Sequence, residues 1–369
     1  MSSSPAAADT AILVSIDFGE TDHQESLGEL RLLAKTAGVR VVAVAQGKRQ
    51  RPSAALFAGS GKVEEIAGAV ERLQVPLVIF NHDLSPAQMR NLTAKLNTRV
   101  IDRTMLILDI FAQRAKSYEG KVQVELAQLK YLSTRLIGQG IDMGQQKFAV
   151  GARGPGETQL ELDRRKLARR VDLLKSRLAK LQNQRGVQRR ARERREVFSV
   201  SIVGYTNAGK STLFNQLTKA GAYVANQLFA TLDTTSRRVF IEGAGELVVS
   251  DTVGFIRHLP HGLVAAFRST LEETVQADLL LHVVDINHPC YDDQIAEVNK
   301  VLQEIEAADI PQILVFNKID LKGLPPTVQR DDYGRITRVF LSAQTGAGLD
   351  CLRSALFEAG APTRAAAII

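Results

Sequence analysis

One stretch decides the fold: Phe198-Ser199-Val200-Ser201-Ile202-Val203-Gly204-Tyr205-Thr206-Asn207-Ala208-Gly209-Lys210-Ser211-Thr212. An apolar strand pattern enters a tight loop with two glycines, and Lys210 and Ser211 then open a helical pattern. The spacing G-x-x-x-x-G-K-S between a strand and a helix is typical of a phosphate-binding loop. Glycines let the backbone N–H groups face phosphate oxygens, and the helix N-terminus adds positive potential. The alternative is an ordinary tight turn that matches the pattern by chance.

Three later loops follow apolar strand patterns and carry polar side chains. Asp251-Thr252-Val253-Gly254 offers a carboxylate to the outer shell of Mg²⁺ and a glycine N–H to a γ-phosphate. Asn317-Lys318-Ile319-Asp320 supplies an aspartate that can accept both N–H groups of a guanine edge, which adenine lacks. Ser342-Ala343-Gln344 can donate a backbone N–H to the guanine oxygen. Since strand ends in a doubly wound sheet gather at one edge, these loops predict one guanine-nucleotide site.

Strand and helix patterns alternate throughout residues 197–360, which predicts a doubly wound α/β domain. After the phosphate loop, strands are expected at Arg237–Ile241, Glu246–Ser250, Leu279–Val284, Gln312–Phe316 and Val339–Leu341, and a closing helix at Leu349–Glu358. Two of these strands are nearly continuous apolar runs, which is typical of parallel strands buried on both faces.

A smaller alternation over residues 11–103 predicts a small parallel α/β domain. Its strands are expected at Ala11–Phe18, Val39–Ala45, Pro76–Phe80 and Arg99–Ile101, and its helices at Gln24–Thr36, Lys62–Leu73 and Pro86–Leu96. Gly59-Ser60-Gly61-Lys62 resembles a phosphate loop but lacks the upstream glycine and a following Ser or Thr. An ordinary glycine-rich helix start is therefore favoured over a second nucleotide site, although ATP binding there stays open.

Residues 104–196 carry a long helical pattern, interrupted near Glu119-Gly120. Its seam positions step by three and four: Val122, Leu126, Leu129, Ser133 and Leu136, then Leu167, Val171, Leu174, Leu178 and Leu181. Two such seams predict a long antiparallel helical hairpin with coiled-coil packing. A connector of 21 residues with six glycines, residues 138–158, forms the glycine-rich tip and contains Arg153.

The second helix of this hairpin is strongly basic. Residues 161–196 contain fourteen Lys or Arg and five Asp or Glu, a local charge of +9, whereas the whole chain carries +7. Since few acids are present to pair with these cations, Arg164, Arg165, Arg169 and Arg170 favour binding of an RNA phosphate backbone over a merely solvated face. Residues 160–196 include no aromatic side chain, which argues against base stacking on this helix.

The length and the composition of the chain limit which classes of protein it can belong to. At 369 residues, with 45% hydrophobic and 24% charged residues, the chain suits two or three soluble domains. Cys290 and Cys351 fit no metal spacing and suit a reducing cytoplasm, and residues 1–10 and 361–369 read as tails, the first disordered. No apolar run is long enough to span a membrane, so we expect a cytoplasmic protein, with partial membrane association left open.

These motifs together resemble the HflX family of translation-factor-related GTPases. The resemblance covers nearly the whole chain and rests on Gly204-Tyr205-Thr206-Asn207-Ala208-Gly209-Lys210-Ser211, Phe229-Ala230-Thr231-Leu232-Asp233, Asp251-Thr252-Val253-Gly254-Phe255, Asn317-Lys318-Ile319-Asp320, Gly59-Ser60-Gly61-Lys62-Val63-Glu64-Glu65-Ile66 and Gly154-Pro155-Gly156-Glu157-Thr158-Gln159-Leu160-Glu161. It implies a GTPase that contacts the rRNA of the large ribosomal subunit and splits stalled or idle ribosomes.

The resemblance also assigns roles within the site. Lys210, Thr231 and Gly254 are the implied catalytic residues, and Ser211 and Thr231 would hold Mg²⁺ with Asp251 in its outer shell. Residues 204–212, 229–233, 251–254, 317–320 and 342–344 are the implied nucleotide contacts. Thr234 and Thr235 compete with Thr231 for its role on spacing alone. We expect a monomer that binds GTP or GDP and has no specificity for DNA.

Two alternative functions stay open at this point. One is a GTP-regulated factor in ribosome assembly. The other is a nucleotide-tuned protein that binds or remodels rRNA, with a weak ATPase activity that the family leaves room for. Relatives often carry an extra C-terminal domain after the guanine loops, and its role is in doubt for this chain.

Two residues in the nucleotide loops modify the expected chemistry. Phe255 stands where many GTPases have a glutamine that orients the attacking water, so we expect slow hydrolysis without the ribosome. Asn207 either holds K⁺ beside the phosphates or stabilises the loop through a side-chain hydrogen bond. Arg257 and His258 are expected to have surface roles rather than roles in the reaction.

Overall fold

The structure is a computed structural model that describes residues 10–19, 22–137, 159–193, 197–219, 228–242, 245–257 and 268–365. Its contacts divide the chain into two compact units. The first comprises Met1–Gln113 and Val122–Leu178, and the second comprises Arg114–Lys121 and Ala179–Ile369. The eight residues Arg114–Lys121 therefore belong to the second unit although both of their flanks belong to the first.

The first unit is built on a four-stranded parallel sheet in the order β2-β1-β3-β4. Its strands are β1 (Thr10–Asp17), β2 (Arg40–Lys48), β3 (Leu77–Phe80) and β4 (Arg99–Ile101). Four helices accompany them: α1 (His23–Thr36), α2 (Ser60–Leu73), α3 (Pro86–Leu96) and α4 (Arg103–Arg114). The predicted small parallel α/β domain is confirmed, because its strands alternate with helices and β1, β3 and β4 bury their apolar side chains.

Local sequence chemistry sets the start of α3. Ser85 accepts the N–H of Gln88 at 3.2 Å, and Gln88 Oε1 accepts the N–H of Ser85 at 2.9 Å. Pro86 occupies the first turn, where its missing N–H has no helical partner to lose. This reciprocal capping box satisfies two N–H groups that a helix start leaves without partners.

The helical hairpin consists of α5 (Tyr118–Ile137) and α6 (Gln159–Glu193). Val122, Leu126 and Leu174 form a buried cluster against which Leu129, Val171 and Leu178 pack. The predicted coiled-coil seam is confirmed for these six positions. The interruption predicted near Glu119-Gly120 is wrong by a few residues, because α4 ends at Arg114 and α5 begins at Tyr118. The glycine-rich tip lies outside the described residues.

A buried carboxylate attaches α5 to the sheet of the first unit. Asp102 follows β4, is fully buried, and accepts hydrogen bonds from the Tyr131 hydroxyl and from Arg135 Nη2, the latter at 2.8 Å. It also accepts the N–H of Met105 at 2.9 Å. Burial raises the pKa of Asp102, while these donors oppose the shift. A carboxylate with this many donors fixes the position of the helix that carries them.

The second unit contains a seven-stranded sheet in the order β10-β11-β9-β8-β5-β7-β6. Its strands are β5 (Phe198–Gly204), β6 (Thr235–Ile241), β7 (Gly245–Asp251), β8 (Leu279–Asp285), β9 (Gln312–Asn317), β10 (Thr327–Arg330) and β11 (Ile336–Phe340). Its helices are α7 (Lys210–Thr218), α8 (Arg268–Val275), α9 (Tyr291–Glu304) and α10 (Leu349–Ala365). The predicted doubly wound class is confirmed.

Among the strands that the structure describes in this sheet, the two edge strands run antiparallel to their neighbours, β6 beside β7 and β10 beside β11. Sequence patterns missed β10, which is short and almost entirely exposed, so it has no apolar alternation to detect. The inner strands are parallel, and the loops after β5, β7, β8 and β9 therefore gather at one edge. Among the described helices, none is both long and apolar enough to cross a membrane.

Two adjacent leucines test the packing of the hairpin. Leu174 is 0% exposed in its apolar cluster, whereas Leu173, one residue away, is 44% exposed. We expect Leu174→Ala to lower the free energy of unfolding by about 2–5 kcal/mol, because it leaves a cavity. The matched variant Leu173→Ala should cost no more than about 0.5 kcal/mol in urea titrations. Equal costs for the two variants would contradict this packing.

Candidate active site

The phosphate-loop motif lies between β5 and α7, as its spacing predicts. Gly209 and Asn207 adopt positive φ angles of 98° and 63°. At Gly204, with φ of 142°, a Cβ atom would lie 2.3 Å from the carbonyl oxygen of Val283 on the neighbouring strand. This close approach requires glycine at the start of the loop. The conformation at Asn207 also explains an asparagine, which tolerates the left-handed region better than most residues.

A cavity of about 360 Å³ opens over this loop. It is lined by Thr206, Asn207, Gly209, Lys210, Ser211, Thr212, Phe229, Ala230, Thr231, Thr252, Gly254, Lys318 and Gln344. All thirteen were singled out from the sequence, and the structure brings them together from five separate loops. The remaining candidates, which do not line the cavity, are Gly204, Tyr205, Ala208, Leu232, Asp233, Asp251, Val253, Asn317, Ile319, Asp320, Ser342 and Ala343.

Several of these remaining candidates hold the loops together. Asn317 Nδ2 donates to the carbonyl of Ala208 at 2.9 Å, and Asn317 Oδ1 accepts the N–H of Ala343 at 2.8 Å. One side chain thus connects the phosphate loop with the two loops predicted to hold the base. Ser342 and Ile319 are buried beside these connections, and Asp320 is exposed.

Three oxygen atoms converge at the start of α7. Ser211 Oγ lies 2.8 Å from Thr231 Oγ1, and both contact Asp251 Oδ2, at 2.7 and 2.9 Å. Asp251 Oδ1 is buried and has no hydrogen-bond partner among the described residues. Two hydroxyls and a carboxylate with an unused oxygen are the hard oxygen donors that Mg²⁺ prefers. The residues therefore fit the magnesium ion that the motifs predict.

Lys210 is buried and lines the cavity. Its ammonium donates to the carbonyl of Tyr205 at 2.8 Å. Burial lowers the pKa of Lys210 to about 8, and the nearby Asp251 carboxylate opposes this shift. Burial also raises the pKa of Asp251, against its hydrogen bond from Ser211 and the charge of Lys210. A desolvated ammonium of this kind is a strong partner for phosphate oxygens.

The loop after β7 is joined to the phosphate loop through Phe255. Its N–H donates to the carbonyl of Gly204 at 3.1 Å, and its carbonyl accepts the N–H of Thr206 at 2.8 Å. Its side chain is buried and does not line the cavity. A Cβ at Gly254 would lie 2.8 Å from Lys210 Nζ, so the backbone before Phe255 approaches the phosphate site closely.

Arg257 departs from its expected place at the surface. It is buried, its N–H donates to the Tyr205 hydroxyl at 2.8 Å, and its guanidinium lies 3.5 Å from Asp293. The expectation of a surface role is therefore wrong for Arg257, because its backbone packs against the phosphate loop. His258 lies outside the described residues.

Asp233 has a role that its motif did not reveal. Its Oδ2 atom accepts the N–H groups of Lys116 and Ser117, both at 2.8 Å, and its Oδ1 atom accepts the Ser117 hydroxyl at 2.5 Å. Ser117 Oγ in turn accepts the N–H of Gly120 at 2.8 Å. A Cβ atom at Gly120 would lie 2.2 Å from Asp233 Oδ1. Asp233 is two residues beyond Thr231, and it thereby connects the magnesium candidates to Lys116 and Ser117, the two residues directly before α5.

The structure describes four of the five arginines that are predicted to contact RNA. Arg164, Arg165, Arg169 and Arg170 are exposed on α6. Arg170 forms an ion pair with Glu125 of α5, with Nη2 at 2.6 Å and Nε at 2.8 Å from the same oxygen. Arg170 therefore contributes to hairpin packing as well as to the basic face. Arg153 lies outside the described residues.

Three family models match successive parts of the chain. The GTP-binding GTPase N-terminal model matches residues 24–112, and the GTP-binding GTPase middle-region model matches residues 114–192. The 50S ribosome-binding GTPase model matches residues 199–318. This order agrees with the α/β sheet, the helical hairpin and the phosphate-loop sheet described above.

Solved structures share the fold. A GTP-binding protein from the hyperthermophilic archaeon Sulfolobus solfataricus, solved in complex with GDP, is 24% identical with a TM-score of 0.50. The alignment covers 96% of this chain and 99% of that one. An SsGBP and GDP complex is 25% identical with a TM-score of 0.53, and its alignment also covers 96% of this chain and 99% of that one.

Curated relatives are much closer in sequence. GTPase HflX from Escherichia coli (strain K12) is 53% identical over 353 residues, which cover 95% of this chain and 83% of that protein. GTPase HflX from Caldanaerobacter subterraneus subsp. tengcongensis is 47% identical over 346 residues, covering 94% and 79%. This identity, over nearly the whole chain, agrees with the motifs and the geometry of the cavity. The chain therefore belongs to the HflX family of GTPases.

Proposed function

We propose that this protein dissociates stalled or idle ribosomes and that GTP hydrolysis resets it. Its front half, residues 11–196, would contact the rRNA of the large subunit. Its family establishes the simpler parts of this account: GTP hydrolysis, a requirement for Mg²⁺, and the ribosome as a partner. The observation that carries the proposal is the contact of Asp233 with Lys116 and Ser117. That contact offers a route by which the bound nucleotide can influence residues outside the cavity.

The chemistry begins with the placement of the phosphates. The N–H groups of residues 206–212 and the buried Lys210 ammonium would bind the β- and γ-phosphate oxygens. Ser211 and Thr231 would hold Mg²⁺ with Asp251 behind them, and the bound ion neutralises charge that develops between the β- and γ-phosphates. The Gly254 N–H would meet the γ-phosphate. Each role places a donor where negative charge grows during hydrolysis.

The position of Thr231 would depend on the γ-phosphate, and the position of Asp233, on the same loop, would depend on Thr231. While Thr231 is held at the ion, Asp233 stays within reach of the first turn of α5, where an anion is also favoured by the helix N-terminus. Loss of the γ-phosphate would release the loop that carries both residues, as in other GTPase switches. Arg114–Lys121 continues on both sides into the first unit, so a change there can reach the front half.

The front half would then act on RNA through α6. Its exposed arginines suit phosphate-backbone contacts that depend on charge and shape rather than on base sequence. We picture the hairpin as a wedge in an RNA-walled cleft that leaves after hydrolysis, with the protein acting as a monomer. The alternatives are a GTP-regulated ribosome-assembly factor and a protein whose rRNA binding is merely tuned by nucleotide.

Monovalent cations would assist hydrolysis through Asn207. Its side chain lines the cavity, and no hydrogen bond involving that side chain occurs within the described part of the chain. This favours a K⁺ ligand over a side-chain hydrogen bond that stabilises the loop. A third explanation for an asparagine at this position is its left-handed backbone conformation, which requires no cation.

Hydrolysis rates test the catalytic proposal. Because Phe255 is buried and cannot orient water, we expect slow turnover by the purified chain and strong stimulation by 70S ribosomes or 50S subunits. Phosphate release should also be faster in K⁺ than in Na⁺ at equal ionic strength, and Asn207→Ala should remove that difference. Fast turnover without ribosomes, unchanged by adding them, would contradict the role given to the ribosome. Equal rates in the two salts would exclude the cation.

Removal of the Asp233 carboxylate tests the connection to α5. Asp233→Ala should leave GTP affinity within about twofold. It should reduce the preference for ribosomes in the GTP state over the GDP state by at least about tenfold, because the carboxylate accepts three hydrogen bonds from Lys116 and Ser117. Glu246→Ala, which removes an exposed ion pair with Arg238 on the neighbouring strand, serves as the control. Pelleting assays with a GTP analogue and with GDP measure both preferences. An unchanged preference in Asp233→Ala would exclude this route.

Ribosome profiles test the proposed function itself. In sucrose gradients, the chain with GTP or a non-hydrolysable analogue should convert 70S particles to subunits, because binding drives splitting and hydrolysis only resets the protein. The triple variant Arg164→Glu, Arg165→Glu, Arg169→Glu should weaken ribosome binding and lower its salt slope by roughly one unit per lost phosphate contact, with GTP affinity unchanged. Arg353→Glu on α10, which reverses one charge away from α6, is the control for an arginine reversal elsewhere on the surface.

The same gradients separate the alternatives. Intact 70S particles with bound protein in every nucleotide state would favour a nucleotide-tuned binder over a splitting factor. Binding only to immature 50S particles would favour an assembly factor. A salt slope that the triple variant leaves unchanged would remove α6 as a main RNA contact.

A further inference from the structure

The loop expected to select guanine contains a residue in an unfavourable backbone conformation. Lys318, the second residue of Asn317-Lys318-Ile319-Asp320, has φ of 67° and ψ of 33°. A residue with a Cβ adopts this left-handed region only where its surroundings hold it there. Asp320 is two residues further on, so the direction of its side chain depends on the backbone at Lys318.

Asp285, the last residue of β8, and Asn287, in the turn that follows, hold Lys318 from one side. Asp285 Oδ2 accepts the Lys318 ammonium at 2.6 Å, and Asn287 Nδ2 donates to the Lys318 carbonyl at 2.8 Å. Asp285 Oδ1 also accepts the N–H of Asn287 at 3.0 Å, so the two side chains form one clamp. Both the charged end and the backbone of Lys318 are thereby fixed.

The clamp belongs to the strand pairing of the sheet. Asp285 lies opposite Asn317 in the β8–β9 register, and the N–H of Ile286 donates to the Asn317 carbonyl at 3.2 Å. The other connections of the guanine loop run through Asn317 to Ala208 and Ala343. Asn317 is therefore anchored to the phosphate loop, whereas Lys318 is anchored to the last residue of β8 and to the turn after it.

We propose that Asp285 and Asn287 are positioning residues for base selection: they hold Lys318 so that its stem faces the base and Asp320 meets the guanine edge. Lys318 lines the cavity while its ammonium is bound to Asp285, which leaves its methylene stem for the flat face of a purine. Neither clamp residue lines the cavity, so each acts through Lys318. This inference rests on the proposed guanine contact of Asp320.

Nucleotide selectivity measures the effect of the clamp. With the full-length chain and Mg²⁺, titrations with GDP and with ADP give a dissociation constant for each nucleotide. Asp285→Ala should weaken GDP binding by about tenfold to a hundredfold and ADP binding much less, because ADP does not use the Asp320 carboxylate. Asn287→Ala should change the ratio in the same direction. Asp285→Asn, which keeps an acceptor for the ammonium without the charge, should lie between Asp285→Ala and the wild type.

A matched control comes from the other end of the same strand. Asp278 precedes β8 and accepts both the N–H and the hydroxyl of Ser199 at 2.7 Å, far along the strand from the cavity. Asp278→Ala should leave the ratio of GDP to ADP affinity unchanged. A similar fall of this ratio in Asp278→Ala would show a general loss of stability and overturn the proposal.

A double-mutant cycle with Asp320→Ala shows whether the clamp acts through Asp320. In that background Asp285→Ala should change GDP affinity by no more than about twofold, since the contact that it positions is already absent. An effect as large as in the wild type would overturn the proposal. A wild type that does not prefer GDP to ADP would instead refute the guanine contact itself, whereas a preserved preference in Asp285→Ala would refute only the clamp.

Discussion

The buried carboxylate of Asp251 is the constraint on which the rest of the second unit depends. It lies at the end of β7 and accepts hydrogen bonds from Ser211 at the start of α7 and from Thr231 on a separate loop. A buried carboxylate with an unpartnered oxygen is unfavourable unless a cation completes its surroundings. In the proposed account, Mg²⁺ bound with the nucleotide phosphates would supply that cation, which would link ligand binding to the position of the Thr231 loop.

A chain of short-range contacts extends outward from this carboxylate. Thr231 contacts Asp251, and Asp233 lies two residues further along the same loop and binds the N–H groups at the start of α5. Gly120 permits this approach, because any side chain there would collide with the carboxylate. The base end of the cavity is organised separately, through Asn317 and through the clamp on Lys318. In the proposed account, phosphate sensing and base selection would therefore use different connections within one sheet, and a variant should alter one without the other.

Sequence patterns predicted the elements that have a regular period or a motif of fixed spacing. The parallel sheets, the hairpin seam and ten of the thirteen residues that line the cavity follow from apolar alternation and from loops at strand ends. The other three, Phe229, Ala230 and Thr231, came from the resemblance to the HflX family alone. Contacts between distant side chains have no such period. The partners of Asp233 are more than a hundred residues away in the chain, and Asp285 precedes Lys318 by 33 residues. The buried state of Arg257 was missed for the same reason, since a charged residue in a loop predicts exposure.

Amide hydrogen exchange at Lys116 and Ser117 tests the central claim most directly. Both N–H groups donate to Asp233. In the proposed account the position of Asp233 would depend on Thr231 and hence on the γ-phosphate. The account predicts slow exchange at both amides with Mg²⁺ and a GTP analogue, and faster exchange with GDP or in Asp233→Ala. Equal exchange with GDP and with the analogue, at saturating nucleotide, would contradict it.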